Sequence, residues 1–368
     1  KAGRIEDLLK LFETALEGNS RRQAVLLQIE AIGTDPAAAD AILAAGLKLL
    51  EATPPRLGPL GREVLVLIAR RAKKPEAQIA LGRLAVRRDP TTQTYLELYQ
   101  TLGREGRYEE AAATLQELLE RFPEQKSPLV LGSLGVSWFQ AGQNEKALEA
   151  ARAVLALDPN DLSALQLVGS ALSRLGRHAE AIAHYQSLLE RMAGSEEAVR
   201  LAHSGLSNVY VAAGELDKAE AELEGLLEKA PDDAGINNDL GYLYADRGKD
   251  LEKAEAMIRK AVQEEPTNGA YLDSLGWVLL KRGKAREALD PLEKAVQELG
   301  SDPTLYDHLG DVYFQLQEFR KARDAWQKAE ALATKAIPPD KRLAEIRKKL
   351  EALKALGPPP PTTAGDNP

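Results

Sequence analysis

The sequence predicts an all-α fold, an α-solenoid of stacked antiparallel helix pairs, and three observations predict it. Aromatic residues are only 5% of a chain that is 44% hydrophobic, a composition favouring helices rich in Ala and Leu over sheets. Gly and Pro recur between apolar runs of helical period. At 368 residues the chain also exceeds the roughly 250–300 at which a single core stops growing, so it must divide into domains or extend as a repeat.

The repeat is visible near the end. The phrases "INNDLGYLYADRG", "AYLDSLGWVLLKRG" and "LYDHLGDVYFQLQ" lead into "LEKAEAMIRKAVQEEP", "AREALDPLEKAVQELG" and "FRKARDAWQKAEALAT". A period near 34 residues marks a helix-turn-helix array. The chain resembles the tetratricopeptide repeat family, whose pattern is a large residue at position 4, Leu at 7, Gly or Ala at 8, an aromatic at 11, Ala at 20, an aromatic or Leu at 24, Ala at 27 and Pro at 32. The repeat from Gly269 supplies Leu272, Leu275, Gly276, Leu279, Ala288, Leu292 and Ala295, with Gly300 in place of the proline. The repeat from Pro303 supplies Tyr306, Leu309, Gly310, Tyr313, Ala322, Trp326 and Ala329, with Thr334 there. The resemblance implies a right-handed superhelix.

In chain order, residues 1–91 read as divergent helical repeats that start inside a repeat. "AGRIEDLLKLFETALEGN" is a second helix with no first helix before it, and two degenerate pairs follow. Residues 92–336 hold seven repeats: 92–125, 128–161, 162–195, 200–233, 234–268, 269–302 and 303–336. Position 20 is Ala111, Ala147, Ala181, Ala219, Ala288 and Ala322, with Ala254 displaced by one residue in "GKDLEKA". The four residues at 196–199 are about one helical turn, so they lengthen a helix without rotating its apolar stripe, and Ser195 is placed to cap it. Residues 337–357 read as a charged capping helix whose Leu343, Ile346 and Leu350 cover the end of the stack, with a partner-binding helix as the alternative. Residues 358–368, "PPPTTAGDNP" with the proline before it, read as a Pro-rich disordered tail.

Positions 2, 5, 9 and 12 of each first helix share a side, because their spacings of three, four and three return to one face. In the tetratricopeptide repeat family that face lines a concave groove where partners bind. By that resemblance the partner-binding residues are Asn208, Asn238, Tyr242, Asp273, Trp277, Asp307, Asp311 and Phe314. For Tyr242 and Phe314, contact with an adjacent first helix stands beside ligand contact. Trp138 at position 11 and Trp326 at position 24 are core positions. Asp273, Asp307 and Asp311, with Lys281 as the nearest base by register, favour a basic partner and disfavour a C-terminal carboxylate.

Net charge is -8, unevenly spread: residues 1–91 carry 15 Lys and Arg against 11 Asp and Glu, or +4, leaving -12 on the other 277. No nucleic acid is expected as a partner, since phosphate neutralisation needs concentrated basic surface. The basic run at Arg70, Arg71, Lys73, Lys74, Arg87 and Arg88 reads as solvated helix ends, with a phosphate or membrane patch as the alternative. Cysteine is absent, the histidines His178, His184, His203 and His308 form no HExxH, and no P-loop or GxSxG is present. The expectation is no enzyme, no metal site and no cofactor, with a protein or peptide as partner, a small-molecule ligand disfavoured, and no membrane span. The last three repeats resemble bacterial envelope adaptor lipoproteins, which implies a periplasmic or outer-membrane-associated scaffold ahead of a cytoplasmic one. The alternative is the substrate-recognition arm of an enzyme whose catalytic domain lies outside this chain.

Overall fold

The computed structural model describes residues 2–17, 22–336 and 340–355. Every α- or 3-10 element among them is helical, with no strand. The chain forms two compact units, residues 1–167 and 168–368.

The first unit contains α1 (Ala2–Glu17), α2 (Arg22–Gly33), α3 (Pro36–Glu51), α4 (Pro59–Arg71), α5 (Pro75–Arg88), α6 (Thr92–Arg104), α7 (Tyr108–Arg121), α8 (Pro128–Gln140), α9 (Asn144–Leu157) and the start of α10 (Leu162–Arg174). Its divergent part is not a simple row of hairpins. α4 packs on α1, α2 and α3 around a shared core that includes Leu9, Phe12, Ile29, Leu43, Leu65 and Ile68. Glu13 of α1 accepts from the Gly58 and Gly61 amides at 2.7 and 2.8 Å, placing a carboxylate at the N-terminus of α4, where free N–H groups and the helix dipole favour it. The basic run is likewise tied to neighbouring helices. Arg88 donates to the Glu51 and Ala52 carbonyls at the end of α3 at 2.8 and 3.0 Å, Arg71 pairs with Glu30 at 3.0 Å and Lys74 with Asp40 at 2.7 Å.

The second unit holds the rest of α10, then α11 (His178–Arg191), α12 (Glu196–Ala213), α13 (Leu216–Lys229), α14 (Ala234–Arg247), α15 (Leu251–Glu264), α16 (Gly269–Lys281), α17 (Ala285–Glu298), α18 (Pro303–Gln315), α19 (Phe319–Lys335) and α20 (Leu343–Ala355). The first helices α12, α14, α16 and α18 pack on their own second helices, α13, α15, α17 and α19. The first helices α14, α16 and α18 also lie side by side. Ser195, Asp233, Asn268 and Asp302 cap α12, α14, α16 and α18 by accepting from backbone amides two or three residues on.

The small residue at position 8 receives the large residue at position 24. A β-carbon on Gly276 would overlap Leu292, and one on Gly310 would overlap the Trp326 indole. All seven position-20 alanines are fully buried. A second recurring device links one repeat to the next. Glu220 on α13 takes Arg247 and Lys249, and Glu255 on α15 takes Arg282 and Lys284, so the end of each following hairpin clamps a buried carboxylate. At position 15 the turn needs positive φ. Six repeats place Gly there, and the seventh uses Gln317 at φ 63°.

Candidate functional site

Position 9 of α14, α16 and the equivalent stretch of α18 were the positions expected to face a partner, and the structure brings most of the named residues together. Trp277 stacks on His308 of the next repeat with ring centroids 4.2 Å apart and planes 16° apart. The Lys281 ammonium covers the same indole at 4.5 Å from its centroid. His308 is buried, and its Nδ1 lies 2.9 and 3.1 Å from the two carboxylate oxygens of Asp273. The Trp277 indole N–H finds no acceptor among the described residues.

One turn further along α18, Asp307 and Asp311 form a second centre. Trp326 donates its Nε1–H to the Asp307 backbone carbonyl at 3.2 Å and to Asp311 Oδ1 at 3.1 Å, so a core indole of α19 orients the Asp311 carboxylate. Burial pushes the Asp311 carboxyl up from its ordinary value, the Asp307 charge adds to the rise, and Lys349 opposes it.

The cation that meets these carboxylates comes from α20, and a second lies in the turn just before it. Lys349 Nζ donates to Asp307 Oδ1 at 2.7 Å and Asp311 Oδ2 at 2.8 Å. Burial works against its charge, but the two carboxylates outweigh that and hold its pKa above the ordinary lysine value. Arg342 donates to the Tyr242 hydroxyl at 3.1 Å and lies 3.4 Å from His308 Nε2, joining residues 100 positions apart. Burial raises the Tyr242 pKa and Arg342 opposes the rise.

The expectation that Lys281 is the base nearest the three aspartates is therefore corrected. Lys281 lies over Trp277, while Lys349 holds Asp307 and Asp311 and His308 holds Asp273. α20 does pack on α19, as a capping helix does, with Ile346, Leu350 and Leu353 buried. Its Lys349 and the Arg342 just before it nevertheless reach the first-helix face, which no repeat register predicts. Of the capping segment expected at 337–357, residues 337–339 and 356–357 lie outside the described residues, as does the whole tail expected at 358–368.

The remaining named residues are placed differently. Asn208 is exposed on α12 and takes no part in these contacts. Asn238 is buried, donates to Asp239 at 3.2 Å and has its carbonyl oxygen unpartnered among the described residues. Phe314 turns to its own hairpin, with ring centroids 5.6 Å from both Phe319 and Trp326. Trp138 and Trp326 are buried. Sequence reasoning missed His308, Arg342 and Lys349. His308 follows Asp307 in "LYDHLGDVYF" and lies off positions 2, 5, 9 and 12, so the register carried no signal for it.

Among the described residues no group of three or more His, Asp or Glu is arranged to hold a metal ion, and no helix is long and apolar enough to cross a membrane.

Family models described as tetratricopeptide repeat match residues 96–161, 133–196 and 172–238. No curated protein is significantly similar to the chain in sequence. Among solved structures, a tetratricopeptide repeat protein from Parabacteroides merdae aligns over 71% of this chain and 98% of its own length, at 19% identity and a TM-score of 0.52. The Cut9–Hcn1 hetero-tetramer of the APC/C aligns over 85% of this chain and 62% of that one, at 16% identity and a TM-score of 0.48. Residues 96–238 thus carry tetratricopeptide repeats, and the helix pairs of the chain have the fold that such repeats build.

Proposed function

We propose that the chain is a noncatalytic scaffold that binds a protein or peptide partner through the concave face formed by the first helices of its repeats. One observation carries this reading: Tyr242 of α14 and Asp307 and Asp311 of α18 bond Arg342 and Lys349 of a segment outside the repeats, while Asp273 and Trp277 of α16 hold His308 beside them. A face that engages one helix this way has the chemistry to engage another, with rigid aromatic anchors and carboxylates that select basic groups. The phrases "NNDLGYLYADRG" and "YLDSLGWVLLKRG" support placing that scaffold in a bacterial envelope complex.

Site-specific photo-crosslinking in native cells tests the reading. A photoreactive residue at Lys281, beside Trp277, is expected to capture a partner protein, and one at the exposed Lys294 on α17 is expected to capture none. Capture from Lys294 with none from Lys281 would place binding on the second helices and overturn it.

A further inference from the structure

α20 packs on α19, and Lys349 within it and Arg342 just before it reach onto the first-helix face. It runs antiparallel to α19: the Asp340 amide donates to the Ala333 carbonyl at 3.1 Å, Arg347 pairs with Glu330 at 2.8 Å, and Lys349 lies 5.9 Å from the Trp326 ring. Arg342 stands in the turn just before α20 and Lys349 lies within the helix, and both reach the first-helix face beside the buried stripe of Ile346, Leu350 and Leu353.

The repeats leave this face short of cations. Asp307 is 5% exposed and Asp311 half-buried, and among the described residues the only basic side chain bonded to either comes from α20. Asp273 meets His308, whose other ring nitrogen faces Arg342. Two neighbouring carboxylates in a desolvated place repel each other, and a cation between them relieves that repulsion, so the face favours a basic guest.

We propose that α20 is a resident competitor on the partner-binding face. The partner is a basic amphipathic helix with one cation just before its first turn and a second seven residues on, beside an apolar stripe, and it binds by taking the place of α20. This rests on the reading of the face as partner-binding. It adds the class of partner and the step of displacement.

The test uses the full chain and a fluorescein-labelled synthetic peptide of residues 340–355, read by fluorescence anisotropy. Wild type is expected to bind it weakly, because the tethered copy competes at high effective concentration. An Arg342→Ala/Lys349→Ala variant is expected to bind it at least about tenfold more tightly. Adding Asp307→Asn/Asp311→Asn to that variant is expected to abolish the gain. Circular dichroism checks folding, and Lys349→Met, which keeps the stem's packing, replaces the double variant if that one unfolds.

Equal affinity for wild type and the loosened variant overturns the proposal. So does concentration-dependent dimerisation of the loosened variant without peptide uptake, which would assign the place to a second copy. Tight binding that survives the aspartate substitutions puts the peptide elsewhere and sinks the reading of the face itself. Crosslinking from Lys281 without any peptide binding sinks only the competitor.

Discussion

The Trp277 indole is held between the His308 imidazole of the next repeat and the Lys281 ammonium one turn on along its own helix. A residue placed by register on a ligand face is therefore also part of the contact between two repeats. Trp277→Ala is expected to cost about 1–3 kcal/mol, from the lost stacking, the lost cation–π contact and the lost area. Trp326→Ala, in the core, should cost roughly 3–5 kcal/mol. Urea unfolding measures both, and a Trp277→Ala variant as stable as wild type would show that the stack contributes nothing.

Three glycines separate packing from propensity. Gly276→Ala and Gly310→Ala each force a methyl into Leu292 or Trp326, with an expected loss of about 1–3 kcal/mol. Gly132, inside α8, has no atom near its would-be β-carbon, so Gly132→Ala should gain about 0.5–1 kcal/mol from backbone entropy alone. Thermal melting of the three single variants checks the order. A gain at Gly276 would mean that the helix pair is not in contact there.

The clamp on Glu255 predicts a pH dependence. Burial would raise this carboxyl, but hydrogen bonds from Arg259, Lys284 and Arg282 outweigh it and hold the pKa at about 2, below the ordinary 4.5. The folded value is lower than the unfolded one, so the stabilisation is present above pH 4.5 and is lost as pH falls toward 2. Glu255→Gln should therefore show a shallower fall in Tm than wild type across that window. Parallel curves would assign the acid sensitivity to other carboxylates.

Much of the fold was legible because a repeat states the same constraint seven times. The position-20 alanines, the Ser195 cap and the core roles of Trp138 and Trp326 each follow from register plus helical geometry. The face was half legible. Periodicity assigns Tyr242, Asp273, Trp277, Asp307 and Asp311 to one side, but it says nothing about a segment that occurs once. Arg342 meets Tyr242 across 100 residues, and that contact depends on where α20 comes to lie beyond the last repeat. The divergent residues before 92 show the same limit from the other end. Their helices were readable from apolar periods, whereas the packing of α4 on three earlier helices was not.

The central claim is that the carboxylates of the first-helix face hold α20, and backbone hydrogen exchange measures that directly. In an Asp273→Asn/Asp307→Asn/Asp311→Asn variant, Lys349 loses both charged partners and the charge of Asp273 is removed from beside His308 and Arg342. The amides of Leu343–Ala355 are then expected to exchange at least about tenfold faster than in wild type, a change of roughly 1.4 kcal/mol in opening, while α14, α16 and α18 keep their protection. Unchanged protection of α20 would show that its apolar stripe alone fixes it to α19, and would contradict the claim that this face is a receptor for a basic helix.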